Sequence, residues 1–455
     1  MATNVINKYS YDRNSVKAGI LHFGVGNFHR AHLEYMTSHL LEDPTQRSWG
    51  ICGAMILPSD ERLYKALKEQ NGEYTLTVCG RDGKNEVYRL GALVELYWGI
   101  EQKEAILDKI ADPDIRIITL TITEGGYNIS RQTGEFMLDN AQVAHDLANP
   151  ANPLTAFGYV AEGLRRRKAS GAGPITILSC DNLQHNGNTA RRAFMSFVEA
   201  QDQELAAWME KNVTFPNSMV DRITPATRPE DIERLNKENG TNDKAPVYCE
   251  DFIQWVVEDN FAAGRPAWET VGAQMTDDVT AFENMKLSLL NASHTLLSYP
   301  SFLYGYRKVD AAMHDERIAK FLDRYAAGVD KPSASFHEDL AKTREVLGNY
   351  TTYDMLGGML LVEGEIVGFS LGEIVGDTLF THIEKADRDY QGCYQMLVAQ
   401  FAQQFAQDGV HFINREDDAG DPGLRKSKLS YHPVALLEKY TVTVDEPCKF
   451  CDLAD

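Results

Sequence analysis

The chain has no long apolar stretch. Nowhere do its 455 residues approach the roughly 18 consecutive apolar positions of a membrane-spanning helix. Positive charge is also scarce. Lys and Arg number 45 against 66 Asp and Glu, a formal net charge of −21, which argues against a nucleic-acid or anionic-membrane partner. Cysteine is sparse and odd in number: Cys52, Cys79, Cys180, Cys249, Cys393, Cys448 and Cys451. Scattered in this way they build no disulfide framework and suit a reducing compartment. Cys448-Lys-Phe-Cys451 has no second CxxC or nearby His pair, so a metal site is not expected. The first residues, Met-Ala-Thr-Asn-Val-Ile-Asn-Lys, lack the apolar core of a signal peptide, and a cytoplasmic location is expected. What remains is an ordinary globular composition with 43% hydrophobic residues, long enough for two or three domains.

Near the N-terminus a buried strand is predicted at 19–24, followed by Gly24-Val-Gly26 and a helix from about His29 to Leu41. Strand, glycine turn and helix are the context of a dinucleotide site. Gly24 permits the tight turn, Gly26 permits close approach of a pyrophosphate, and the helix start supplies free N–H groups. The third fingerprint glycine is replaced by His29, so the motif alone is a weak signal. A second strand, 49–56, is followed by Asp60, placed to accept from a ribose 2′-hydroxyl and to repel a 2′-phosphate, which favours NAD over NADP. The plainer role, capping a helix over 61–70, is compatible with it. The runs 115–123 and 175–179 read as buried parallel strands ending at Glu124-Gly-Gly-Tyr127 and Cys180-Asp-Asn182.

A third feature is Met285-Lys-Leu-Ser-Leu-Leu-Asn-Ala-Ser-His294. On a helix, Asn291 lies about 140° and His294 about 80° around from Lys286, so the three share one broad face. A lysine beside an apolar run has its charged form disfavoured by desolvation, which suits a base. From spacing alone, a surface lysine, a capping asparagine and a core histidine remain the plainer reading.

Six segments, taken together, change that weighting: His22-Phe-Gly-Val-Gly-Asn-Phe-His-Arg-Ala-His32, Thr121-Ile-Thr-Glu-Gly-Gly-Tyr127, Leu178-Ser-Cys-Asp-Asn182, Phe215-Pro-Asn-Ser-Met-Val-Asp-Arg-Ile-Thr-Pro225, Phe252-Ile-Gln-Trp-Val-Val-Glu-Asp259 and Met285–His294. In this order, over roughly residues 15–306, they resemble the mannitol dehydrogenase family of long-chain polyol dehydrogenases and reductases. The resemblance implies a metal-free, NAD(P)-dependent oxidation of a secondary alcohol of an open-chain polyol to a ketose, with NAD favoured by Asp60. It implies Lys286 as general base, Asn182 and Asn291 holding the developing alkoxide, and His294 binding a substrate hydroxyl. Glu124, Glu283 and Asp221 would line the substrate. Gly24, Gly26, Phe28, His29, Arg30 and Asp60 would bind the cofactor.

From about Lys308 the chain changes character, and the family's long helical domain is not recognisable. A helix is predicted over 316–326, a linker over 331–335, and two strands joined at Glu363-Gly364. A strand over 377–386, a helix over 394–406 and a strand over 410–414 follow, and then a short helix over 424–429. Phe369-Ser-Leu-Gly-Glu373, His382-Ile-Glu-Lys-Ala386, Gly392-Cys-Tyr-Gln-Met396 and the block Asn414–Pro433 resemble a second family, the acyltransferase-like C-terminal domain of phosphatidylglycerol lysyltransferases. That resemblance implies a mixed sheet and an acyl-coenzyme-A-like ligand near Arg388–Gly392, or an interaction domain without chemistry. The expected organisation is thus a Rossmann-type α/β domain over 1–276, a catalytic helix segment over 277–308 and an α+β acyltransferase-like domain over 309–455. The competing reading is an acyl- or aminoacyl-transferase whose N-terminal part only binds nucleotide.

Overall fold

The computed structural model describes residues 4–80, 82–130, 133–286, 297, 301, 304–307, 309–327, 356–387, 390–407, 409–415 and 422–436. The chain divides into two compact units, Met1–Glu283 and Asn284–Asp455.

The first unit is built on six parallel strands: β1 (Ala18–Phe23), β2 (Gly50–Met55), β3 (Leu93–Trp98), β4 (Ile117–Leu120), β5 (Ile175–Ser179) and β6 (Val213–Thr214). Their spatial order is β3-β2-β1-β4-β5-β6, the order of the doubly wound dinucleotide-binding fold. Every residue of β1, β2, β4 and β5 is buried. Such strands are covered on both faces, which is why they read as continuous apolar runs. Successive side chains of β1 go to opposite sides. Ile20 joins a core with Met36, Ile51, Trp255 and Trp268. Leu21 and Phe23 join another with Ile118, Val160, Leu164 and Phe194. Two smaller sheets complete the unit. One orders Ile6–Lys8, Asn85–Leu90, Tyr74–Cys79 and Val247–Glu250; the other orders Ser218–Asp221, Gln254–Glu258 and Gln274–Thr276.

The sequence pattern and the structure differ in two instructive places. The predicted helix over 29–41 is two helices, Asn27–Ala31 and Leu33–Leu40, broken at His32 (φ −119°, ψ −86°). The His32 ring leaves helical geometry for tertiary partners. Its Nε2 lies 3.0 Å from the Gln254 carbonyl, and Trp255 meets it edge-on. The predicted strand over 115–123 is shorter, Ile117–Leu120, and past its C-terminal end Thr123 adopts φ +66° and turns the chain.

The second unit holds a mixed sheet of β7 (Leu356–Val362), β8 (Glu365–Val375), β9 (Thr378–Ala386) and β10 (Phe412–Asn414), adjacent in that order. The first two pairings are antiparallel and the last is parallel. Glu363 (φ +52°) and Gly364 (φ +85°) form the two-residue turn between β7 and β8. Positive φ at both positions is the turn whose twist matches the strands. Ile366, Phe369, Leu371 and Ile383 pack with Ile318 and Phe321 of the helix Glu316–Ala327. Val367 and Ala386 pack with Cys393 and Leu397 of the helix Cys393–Phe405. No helix among the described residues is long and apolar enough to cross a membrane.

One buried pair of the first unit has a pH signature. Glu34 and His29 are fully buried, with His29 Nε2 3.6 Å from a Glu34 oxygen. Burial pushes the Glu34 carboxyl up to about 8 and the His29 imidazole well below its usual range, so the pair resolves to its neutral form at pH 7. A carboxyl raised on folding keeps its proton while the unfolded chain gives it up. Glu34 therefore costs up to about 1.4 kcal/mol per pH unit between the ordinary glutamate range and about pH 8, and nothing more above it. Glu34→Gln is expected to gain on the wild type over that window in melting experiments run at several pH values. Parallel curves would show that Glu34 does not titrate there.

Candidate functional site

The carboxyl ends of the parallel strands gather most of the polar residues singled out in the first unit. After β1 the chain turns at Gly24, with φ +97°. A Cβ there would lie 2.2 Å from the Thr121 carbonyl oxygen, so only glycine fits. Gly26 opens the helix Asn27–Ala31 with no side-chain cap. A Cβ on it would meet only the Gly24 oxygen, at 3.9 Å. Main chain close-packed behind and open in front is what a pyrophosphate needs, and these residues fit a dinucleotide.

The neighbouring side chains are placed differently from one another. Phe28 is half-buried and stacks on His32 at 5.0 Å. His29 is fully buried, its ring 3.4 Å from that of His22. Arg30 is 2% exposed. Its Nη1 donates to the Ala245 carbonyl at 2.5 Å and its Nη2 to Asn27 Oδ1 at 2.6 Å, while its guanidinium lies over the Tyr74 ring. The side chains of His29 and Arg30 thus tie the helix to the interior, and what these positions present toward the crevice is main chain. Asp60, past β2, accepts from the Leu57 N–H at 2.9 Å and leads into the helix Glu61–Glu69.

After β4, Asp181 holds the next turn. One of its carboxylate oxygens accepts from Thr123 N at 2.8 Å. The other accepts from Ile122 N at 3.0 Å and from the Tyr127 hydroxyl at 2.7 Å. This clamp sustains the left-handed Thr123, a strained setting for a β-branched residue. It leaves Glu124 exposed on the turn and Asn182 exposed immediately after the clamp. Burial is the main influence on Asp181 and raises its carboxyl; the three hydrogen bonds oppose that. Asp221 ends the strand Ser218–Asp221. Glu283 is buried, on the helix Thr280–Met285, and accepts from the His185 N–H at 2.9 Å. His185 Nδ1 lies 3.3 Å from its other oxygen. Burial raises the Glu283 carboxyl, with His185 opposing. His185 adopts φ +48° and starts the helix Asn186–Gln201. Lys286 directly follows the Glu283 helix and is 7% exposed. Asn291 and His294 lie outside the described residues, as do Cys448 and Cys451. Among the described residues no His, Cys, Asp and Glu cluster has the makings of a metal site.

Asp181, His185 and His22 were not singled out by spacing. A signal for Asp181 was present: an acid closing a buried strand beside Asn182. Its partners, Thr123 and Tyr127, are more than fifty residues earlier.

Strand order, glycine turn and polar strand ends define a Rossmann-type dinucleotide-binding unit. The sequence model for the mannitol dehydrogenase Rossmann domain matches residues 18–270, and the chain belongs to the mannitol dehydrogenase family. A second model, the C-terminal region of phosphatidylglycerol lysyltransferase, matches residues 305–443. The Polyol:NADP oxidoreductase of Gluconobacter oxydans is 48% identical over 317 residues, 69% of this chain and 65% of that protein. The chain thus spans just under two thirds of that relative. Two solved structures are similar over a larger share. Substrate-free D-sorbitol dehydrogenase has a TM-score of 0.68 and 43% identity, covering 75% of this chain and 74% of that one. The Pseudomonas fluorescens mannitol 2-dehydrogenase ternary complex with NAD and D-mannitol has a TM-score of 0.67 and 41% identity, covering 74% and 70%.

Asp181→Ala leaves three donors without their acceptor. It is expected to destabilise the first unit by about 1–3 kcal/mol, read as a lowered melting temperature. An unchanged melting temperature would show that the clamp contributes nothing.

Proposed function

We propose that this chain oxidises a secondary hydroxyl of an open-chain polyol to a ketone, with NAD as hydride acceptor. The observation that carries the reading is the glycine turn, Gly24 to Gly26, at the crevice of a 3-2-1-4-5-6 sheet, in a chain 41% identical to a mannitol 2-dehydrogenase solved with NAD and D-mannitol. Bound NAD supplies the hydride acceptor at its nicotinamide ring. The protein's part is to bind, orient and move one proton. The main chain of Gly24 and Gly26, with Phe28 and the backbone of His29 and Arg30, receives the cofactor. Asp60 accepts from ribose hydroxyls and disfavours a 2′-phosphate. Lys286 takes the hydroxyl proton at Nζ. Asn182 and Asn291 donate to the oxygen as it gains negative charge, and His294 binds a neighbouring hydroxyl. Glu124, Glu283 and Asp221 accept from the polyol. Burial of Lys286 keeps it from water, as the role requires. The match of 305–443 to the lysyltransferase C-terminal model speaks for sequence kinship and no ligand, so an acyl-coenzyme-A-like ligand forms no part of this proposal.

The test is NADH formation on incubating the chain with mannitol, sorbitol or arabinitol at alkaline pH. Absence of turnover with every polyol, in a folded sample that binds NAD, would overturn the proposal. Lys286→Ala is expected to lower kcat about a hundredfold or more with NADH binding retained; wild-type turnover would remove Lys286 from the reaction. The relative named for NADP makes cofactor choice a separate question. The chain is expected to prefer NAD in kcat/KM, and Asp60→Ala to erode that preference. A wild-type preference for NADP would remove Asp60 from cofactor selection.

A further inference from the structure

We propose that His22 is a positioning residue for the dinucleotide, bolting the glycine turn from behind, with His29 as its backstop. This rests on the nucleotide-binding reading of the first unit.

His22 lies on β1 and is fully buried. Its Nε2 is 3.0 Å from the Gly24 carbonyl oxygen and 3.0 Å from Thr121 Oγ1; its Nδ1 is 2.8 Å from Thr119 Oγ1. The Gly24 oxygen also accepts from Thr121 Oγ1 at 2.7 Å and from the Gly26 N–H at 2.6 Å. These contacts fix the tautomer. A carbonyl oxygen can only accept, and the Thr121 hydroxyl has given its proton to that same carbonyl, so Nε2 must carry the hydrogen. Nδ1 is then bare and accepts from the Thr119 hydroxyl. A single imidazole thereby joins the turn to two positions on the β4 side, Thr119 and Thr121. Burial holds it well down, at about 3, so the arrangement persists across the working pH range.

His29 explains why the ring stays there. It occupies the place of the third fingerprint glycine, whose usual use is close approach of helix to strand. Here the ring of His29 is stacked on that of His22, 13° from parallel. His29 has no hydrogen-bond partner at either ring nitrogen. The Glu34 carboxyl, 3.6 Å from Nε2, is too far for a hydrogen bond, and what the buried ring contributes is the flat surface it presents to His22. The pair fills the space that a glycine would leave and sets the height of the turn. Because a trans peptide is planar, holding the Gly24 oxygen fixes the whole Gly24–Val25 peptide, and with it the main chain leading to the uncapped Gly26.

His22→Leu keeps the volume and removes the bolt. His22→Gln returns an N–H donor near the Nε2 position. NADH binding followed by fluorescence titration, with melting temperatures and the polyol KM at saturating cofactor, separates positioning from general damage. His22→Leu is expected to weaken NADH binding about tenfold, the worth of a lost hydrogen bond. The polyol KM at saturating NAD should stay as in the wild type, and His22→Gln should recover most of the affinity. Wild-type affinity in His22→Leu, a Gln variant as weak as the Leu variant, or a polyol KM rising in step would overturn the inference. If His22→Leu does not fold, Thr121→Val, which removes the bridging hydroxyl, is expected to weaken NADH binding in the same way; wild-type affinity there would overturn it. A wild-type chain that folds but does not bind NADH would overturn the nucleotide reading and this inference with it. Wild-type binding with an indifferent His22→Leu would overturn this inference alone.

Discussion

The approach of Gly24 to the end of β4 is the constraint on which the first unit depends. At 2.2 Å from the position of a Cβ, the Thr121 carbonyl leaves space for a hydrogen atom and nothing else. That contact brings the turn after β1 against the turn after β4. The β4 turn is held in its strained form by Asp181, and Asp181 also donates its own N–H to the Ser179 hydroxyl at the end of β5. Three strand ends are therefore linked by short polar contacts. The crevice at the reversal of strand order is the place where such a fold receives a ligand, and here its floor is built before any ligand arrives.

The unit holds that floor with buried polar groups, some neutral and some charged. His22, His29 and Glu34 are neutral in the folded state because burial disfavours their ionised forms. Arg222 donates to the main-chain carbonyls of Ala31 and Glu250, and Arg30 to the Ala245 carbonyl and the Asn27 side chain. A guanidinium satisfied by carbonyls pins backbone to backbone and leaves fewer of its donors for a phosphate. In the basic-looking Phe28-His-Arg30 run the His29 and Arg30 side chains are therefore turned inward, and what they leave for the proposed dinucleotide is their main chain.

Local features were the ones legible in the sequence. The β1 run and Gly24-Val-Gly26 gave strand and turn because burial on both faces and positive φ each leave a mark on residue type. Glu363-Gly364 marked its hairpin for the same reason. The break at His32 was not legible, since its cause is the Gln254 carbonyl and the Trp255 ring. Nor was the inward turn of Arg30, whose acceptor Ala245 is 215 residues away. His22 sits within the 19–24 run like any other strand position, because a buried histidine carries no spacing signal; only the convergence of Thr119, Thr121 and Gly24 gives it a task. Lys286, Asn291 and His294 gained meaning from the order of six segments, not from their helical spacing.

The proposed reaction moves a hydride from a polyol carbon to a nicotinamide. The most direct measurement is mass spectrometry of the reduced cofactor after incubation with NAD and a polyol carrying deuterium on the oxidised carbon. The account requires deuterium in the reduced nicotinamide and a ketose of matching chain length. Reduced cofactor without the label, or no reduction by a folded chain that binds NAD, would contradict it.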